Sequence, residues 1–153
     1  MQLALSRVTY THPAAQDPIL NNATIAFPQG WTGLLGDNGC GKSTLARLAC
    51  GLIVPDSGTV SNGLFAVYCP QEADEAPHAL ADFALDFGRE ARSLRKRLSL
   101  TDDMPWRWDE LSFGERKKLQ IACSLWQRPD VLAVDEPTNH LARGRDSRGC
   151  RRQ

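Results

Sequence analysis

The sequence predicts an α/β fold with a core sheet, an antiparallel β edge and a helical subdomain, and three observations carry that expectation. Residues 3–10 and 24–27 alternate apolar and polar side chains, the period of strands with one buried face. An apolar run at 31–35 leads through a glycine-rich stretch into a segment, 42–50, with helical spacing. Four apolar residues at 131–134 precede Asp135 and Glu136, as a buried core strand with acids at its tip would read.

Pro13, Pro18 and Pro28 break the chain around the first two strands, which read as an antiparallel edge. The helix at 42–50 carries Leu45, Leu48 and Ala49 on one face, with Gly51 as its stop. Pro55-Asp56-Ser57-Gly58 reads as a turn, 64–68 as a strand, and 79–98 as one or two helices divided near Gly88. The Arg92, Arg95, Lys96, Arg97 cluster reads as a solvated helix face rather than an RNA patch. Ser112 opens a helix toward Trp126, with Leu119, Ala122 and Trp126 along one side.

The 153 residues are 42% hydrophobic and 24% charged, which suits one globular domain with one core. No apolar run reaches the roughly 18 to 20 residues of a membrane span, and the start lacks the plan of a signal peptide, so a soluble, cytoplasmic protein is expected. Five cysteines without a C-x-x-C pair read as reduced thiols, not as a disulfide framework or zinc site. The formal charge is zero, yet the last twelve residues hold five arginines against Asp146 alone. Without them 13 basic and 17 acidic residues remain, a balance that gives the body no electrostatic grip on nucleic acid.

The stretch Gly36-Asp37-Asn38-Gly39-Cys40-Gly41-Lys42-Ser43-Thr44 fits G-x-x-x-x-G-K-[ST], and it lies between an expected strand and an expected helix. Glycines at 36, 39 and 41 let successive N–H groups turn inward toward phosphate oxygens, and the helix N-terminus adds partial positive charge. Lys42 supplies a movable charge for the β- and γ-phosphates, and Ser43 a hydroxyl for Mg²⁺. A P-loop NTPase-type core with ATP and Mg²⁺ is therefore expected. Cys40, beside Lys42 and a helix start, is either a reactive thiol or an inert small side chain, and alkylation tests which.

Two further motifs narrow the reading. In Leu111-Ser112-Phe113-Gly114-Glu115, Ser112 and Glu115 form a capping box, while Gly114 costs a helix about 0.5 to 1 kcal/mol unless something approaches its backbone. Here the sequence resembles the ATP-binding cassette (ABC) family, whose signature is usually written L-S-G-G-Q and meets the γ-phosphate held by a partner domain. Phe113 and Glu115 depart from that wording, and Glu115 is similar to the translation-associated ABC-F subgroup. The segment Val131 to Leu141, ending Asn139-His140-Leu141, also looks like ABC-F proteins more than transporter subunits.

The resemblance implies an ABC ATPase fold in which Asp135 holds Mg²⁺ through water and Glu136 is the general base for the attacking water, roles that suit a carboxylate beside metal and triphosphate. It also implies that Gln71, after a strand, contacts Mg²⁺ and senses nucleotide, and that Ser112, Gly114 and Glu115 face the nucleotide of a second ABC domain or a homodimer partner. Adenine would stack on an aromatic upstream of the loop: Tyr10 and His12 both fall in the window, and each is equally readable as a packed strand residue. The expected organisation is an ATP-binding domain at 1–141, its helical subdomain at about 72–128, and a disordered arginine-rich tail at 142–153. Family members continue with an aspartate, a helix, a strand and a switch histidine, where this sequence has Ala142 and the tail, so a truncated cassette is expected. Three functions follow from the resemblance: an ABC-F-like ATPase with the ribosome as partner, the ATP-binding subunit of a membrane transporter, or a non-catalytic nucleotide-binding remnant.

Overall fold

In the computed structural model, residues 2–61 and 63–136 are described; the Asn139-His140-Leu141 turn and the tail expected at 142–153 lie outside them. The described chain forms two units, one from residues up to 69 together with 127–135, the other from 70–126 with 136.

In the first unit β1 (Leu3–Tyr10) is the middle of a three-stranded antiparallel sheet, flanked by β2 (Leu20–Phe27) and β3 (Ser57–Val60). Strict alternation cannot bury both Leu5 and Val8, three positions apart, yet both are fully buried. A β-bulge reconciles them. Leu5 pairs with Ile25 and Val8 with Ala23, so β1 uses one residue more than its partner, and Arg7 takes φ 49° to absorb it. The bulge also explains Gly58, which the sequence reading put in a turn and which instead lies in β3. A Cβ there would come within 2.3 Å of the Arg7 carbonyl oxygen, so glycine serves close backbone approach.

Helix α1 (Lys42–Ala49) buries Leu45 and Leu48 with Leu5 and Val8, and Ile25, Phe27 and Val60 pack around them. A second sheet pairs β4 (Ala66–Cys69) and β5 (Val131–Val134) in parallel, Tyr68 opposite Ala133. Two expectations are corrected here. Residues 31–35 form no strand: Trp31 and Leu35 are almost fully exposed, because an apolar run becomes a strand only on a neighbour's hydrogen-bond ladder, and no described residue supplies one. For the same reason β5, with a single described neighbour, is half-buried throughout rather than buried on both faces.

The second unit is helical: α2 (Leu80–Leu85), α3 (Arg89–Leu98), a 3₁₀ stretch at Met104–Glu110 and α4 (Phe113–Trp126). Phe83, Ala91, Leu100, Trp108, Leu119 and Cys123 make its core, closed by an edge-on contact of Phe83 with Trp126 at 6.1 Å. Arg95 departs from the expected solvated face, being only 5% exposed. Its guanidinium donates to the carbonyls of Phe83 at 2.6 Å, Ala84 at 3.1 Å and Asp86 at 2.7 Å, lies 4.7 Å from the Phe83 ring centroid and pairs with Asp102 at 3.4 Å. The end of α2 leaves carbonyls that need donors, and a five-donor fork one helix away supplies them. Arg92, Lys96 and Arg97 remain exposed.

No described helix is long and apolar enough to cross a membrane. Cys40 and Cys50 are free cysteines, the first exposed and the second half-buried, and Cys69 and Cys123 are buried.

Candidate functional site

Residues 36–44 curl into the start of α1 without a side-chain cap. Gly41 is the N-cap at φ 94°, where a Cβ would meet the Ile19 side chain at 2.8 Å, and Gly39 stands at φ 85°. A residue with a Cβ would be strained at either place. The first turn of α1 carries no acid, so its N–H groups keep their partial positive charge for an anion. Lys42 lies along the loop, its ammonium donating to the carbonyls of Gly36 and Asp37, both at 2.8 Å, with the Cys40 sulfur at 3.9 Å. The Cys40 N–H donates to the Asp37 carbonyl at 3.3 Å, closing the turn that exposes Asn38. Ser43 and Thr44 follow, half-buried, in the first turn of α1.

Asp135 leaves the tip of β5 in the same unit. Its N–H donates to the Cys69 carbonyl at 3.0 Å, and its Oδ2 accepts the Tyr68 hydroxyl at 2.8 Å. The Arg47 guanidinium sits 5.6 Å from the Tyr68 ring centroid. Burial and then the hydrogen bond to Asp135 push the Tyr68 hydroxyl above its ordinary range, so it stays a donor. At the far end of α1, burial raises the Cys50 thiol, opposed by a hydrogen bond with the Ala133 backbone. Helix α1 is thus tied to both strands of the parallel pair.

The adenine candidates differ in setting. Tyr10 packs half-buried against the core of its unit, whereas His12 is exposed and its Nδ1 accepts the Ala14 N–H at 3.2 Å.

In the second unit the capping box at 112–115 forms. The Glu115 carboxylate accepts from the Ser112 hydroxyl at 2.6 Å and from its N–H at 2.9 Å, and these bonds, the hydroxyl first, hold it below the usual carboxylate range. A Cβ on Gly114 would meet nothing within 4 Å, so no neighbour within the described chain demands glycine there. Glu136 stands at φ 39°, an uncommon conformation for a residue with a side chain.

Sequence reasoning missed a polar anchor of the Gln71 loop. Lys117, buried in α4, donates to the carbonyls of Pro70 and Gln71 and to Gln120 Oε1 at 2.9 Å, while Gln120 Nε2 donates to the Glu72 carbonyl at 3.0 Å. The signal was there in the 117, 120, 124 spacing, a polar stripe one helical face wide beside the apolar one. Tyr68 and Arg47 were missed as well, since nothing in a strand's alternation marks a phenol as a carboxylate's partner.

An oxygen donor set, the Ser43 hydroxyl and the Asp135 carboxylate, suits Mg²⁺, which takes one or two protein oxygens and fills its octahedron with phosphate and water. No described cluster of three His, Cys, Asp or Glu offers a softer site.

The ABC transporter family model matches residues 20–139. A protein of Nitratidesulfovibrio vulgaris named as an ABC transporter ATP-binding protein is 35% identical over 91% of this chain and 61% of its own length. The Escherichia coli ATP-binding protein YheS is 34% identical over 74% of this chain and 20% of its own, and ATP-binding protein Uup of Caulobacter vibrioides 35% over 81% and 21%. The chain thus spans less than two thirds of these relatives' lengths. Among solved structures, a dimeric ATP-binding cassette in a post-hydrolysis state with ADP and Pi superposes with a TM-score of 0.74 at 21% identity, over 89% of this chain and 74% of that one. The ATP-binding subunit of an ABC transporter also reaches 0.74 at 22% identity, covering 91% and 68%. The fold is that of an ABC ATPase domain, and with the family model covering most of its length, the chain belongs to the ABC transporter family.

Proposed function

We propose that this chain is the nucleotide-binding part of an ABC-F-like cassette, which binds ATP with Mg²⁺ and, paired with a second cassette, hydrolyses it. What supports this most is that the 36–44 loop, α1 and Asp135 belong to one unit, with Arg47, Tyr68 and Asp135 in successive contact. The loop amides and the α1 N-terminus take the phosphates. Lys42, now on loop carbonyls, exchanges them for phosphate oxygens. Ser43 and Asp135 would hold Mg²⁺, with Gln71 as a further contact by family resemblance, and the bound ion neutralises charge that develops on the phosphates. Glu136 accepts the proton of the water that attacks the γ-phosphorus as the bond to ADP breaks. Ser112, Gly114 and Glu115 of one cassette meet the nucleotide on the other, so turnover requires a pair.

Glu115 and the Asn139-His140-Leu141 wording favour a ribosome-associated role. A second reading, the ATP-binding subunit of a transporter, is favoured by relatives that carry that name. Binding of a fluorescent ATP analogue should be lost, by at least about tenfold, in Lys42→Ala, from the loss of a charge-assisted contact. Unaltered affinity would end the phosphate-loop reading. Cosedimentation with ribosomes supports the first role and recovery with membranes the second, and ATP binding with no turnover at any protein concentration marks a non-catalytic remnant.

A further inference from the structure

Asp135 is held by more than its strand. Its own amide is pinned to Cys69, and one carboxylate oxygen, Oδ2, takes the Tyr68 hydroxyl at 2.8 Å. Tyr68 stands opposite Ala133 in the parallel register, so Asp135, two residues further on, projects from the same face. Arg47, on α1, lies over that ring. Ser43 precedes Arg47 by one helical turn, so the two share a face of α1. A continuous run of side chains therefore joins the face that carries Ser43 to the carboxylate of Asp135.

We propose that Tyr68 is a positioning residue for the metal-holding carboxylate: its hydroxyl fixes the Asp135 rotamer through Oδ2 and commits Oδ1 to the cation, with Arg47 bracing the ring. The proposal rests on the reading of Asp135 as the Mg²⁺ residue. A carboxylate free to rotate would have to be ordered when the ion arrives, and a hydrogen bond already made removes that cost.

The test is Tyr68→Phe, which keeps the ring under Arg47 and removes one oxygen. Mn²⁺ affinity of the protein–ATP complex, read by electron paramagnetic resonance, should fall about tenfold, the loss expected for one hydrogen bond to a charged group. ATP-analogue affinity in EDTA should not change, while melting in EDTA should fall by the few degrees that one lost hydrogen bond to a carboxylate costs. Tyr68→Trp, with the wrong reach for a donor, should behave like Phe. Arg47→Met should shift Mn²⁺ affinity in the same direction by a smaller factor. Wild-type Mn²⁺ affinity in Tyr68→Phe overturns the proposal, as does an equal loss with and without metal. Asp135→Asn separates the two layers: if it too leaves Mn²⁺ affinity untouched, the reading of Asp135 has failed, and the positioning role with it.

Discussion

Lys117→Met is the perturbation that probes the second unit most sharply. The substitution keeps the unbranched side chain but for its terminal ammonium and so removes the charge of a residue that is 2% exposed. Three acceptors lose a donor: the Pro70 and Gln71 carbonyls and Gln120 Oε1. A hydrogen bond from a charged donor contributes about 1.5 to 3 kcal/mol, so roughly 5 kcal/mol of interaction disappears. Against this, the cost of holding an ammonium out of water, several kcal/mol, is recovered, and the half-buried loop at Pro70 and Gln71 lets water reach the stranded carbonyls. The net expectation is a loss of about 2 kcal/mol. Lys117→Ala removes three further methylenes at about 0.8 kcal/mol each and should cost about 4 kcal/mol. Urea unfolding measures both, and amide hydrogen exchange at Gln71, Glu72 and Ala73 should quicken in the Met variant before global opening does. A Met variant as stable as wild type with unchanged exchange would refute the anchor, and Met and Ala costing the same would show that only packing had been lost.

Two other outcomes follow from the same unit. Arg95→Met strips donors from three carbonyls at the end of α2 and should destabilise by about 3 kcal/mol in urea unfolding, whereas Arg92→Met, on the exposed face, should stay within about 0.5 kcal/mol. The Glu115 carboxylate is held below its ordinary value of 4.5, so its contribution is complete above that value and lost as pH falls through the lowered one. Glu115→Gln should flatten the acid limb of the stability profile below about pH 4.5, and Ser112→Ala should cost about 1 kcal/mol near neutrality. An acid limb identical in wild type and Glu115→Gln would show that the capping carboxylate is not what titrates.

How far the sequence could be read depended on where each element gets its stability. Helices α1 and α4 were legible because Leu45 and Leu48, or Leu119, Ala122 and Trp126, repeat at helical spacing, and the glycine-rich turn before α1 because Gly36, Gly39 and Gly41 all take positive φ. The strand expected at 31–35 failed on the opposite ground: hydrophobicity is local, but a ladder partner is not. Arg95 and Lys117 fall between these cases. Composition rules send charged side chains to the surface, and for Arg92, Lys96 and Arg97 they are right. The second unit, however, sets a fourteen-residue helix beside helices of six and ten residues and a 3₁₀ stretch, so helix ends leave carbonyls that need donors next to its core. A lysine with three donors or an arginine with five satisfies more carbonyls than a neutral hydroxyl or amide, which has one or two. A buried arginine at the end of α2 and a buried lysine under the Gln71 loop are therefore what short helices around irregular backbone require, and a helix in which a cation, an amide and a hydroxyl recur along one stripe is where to look for them.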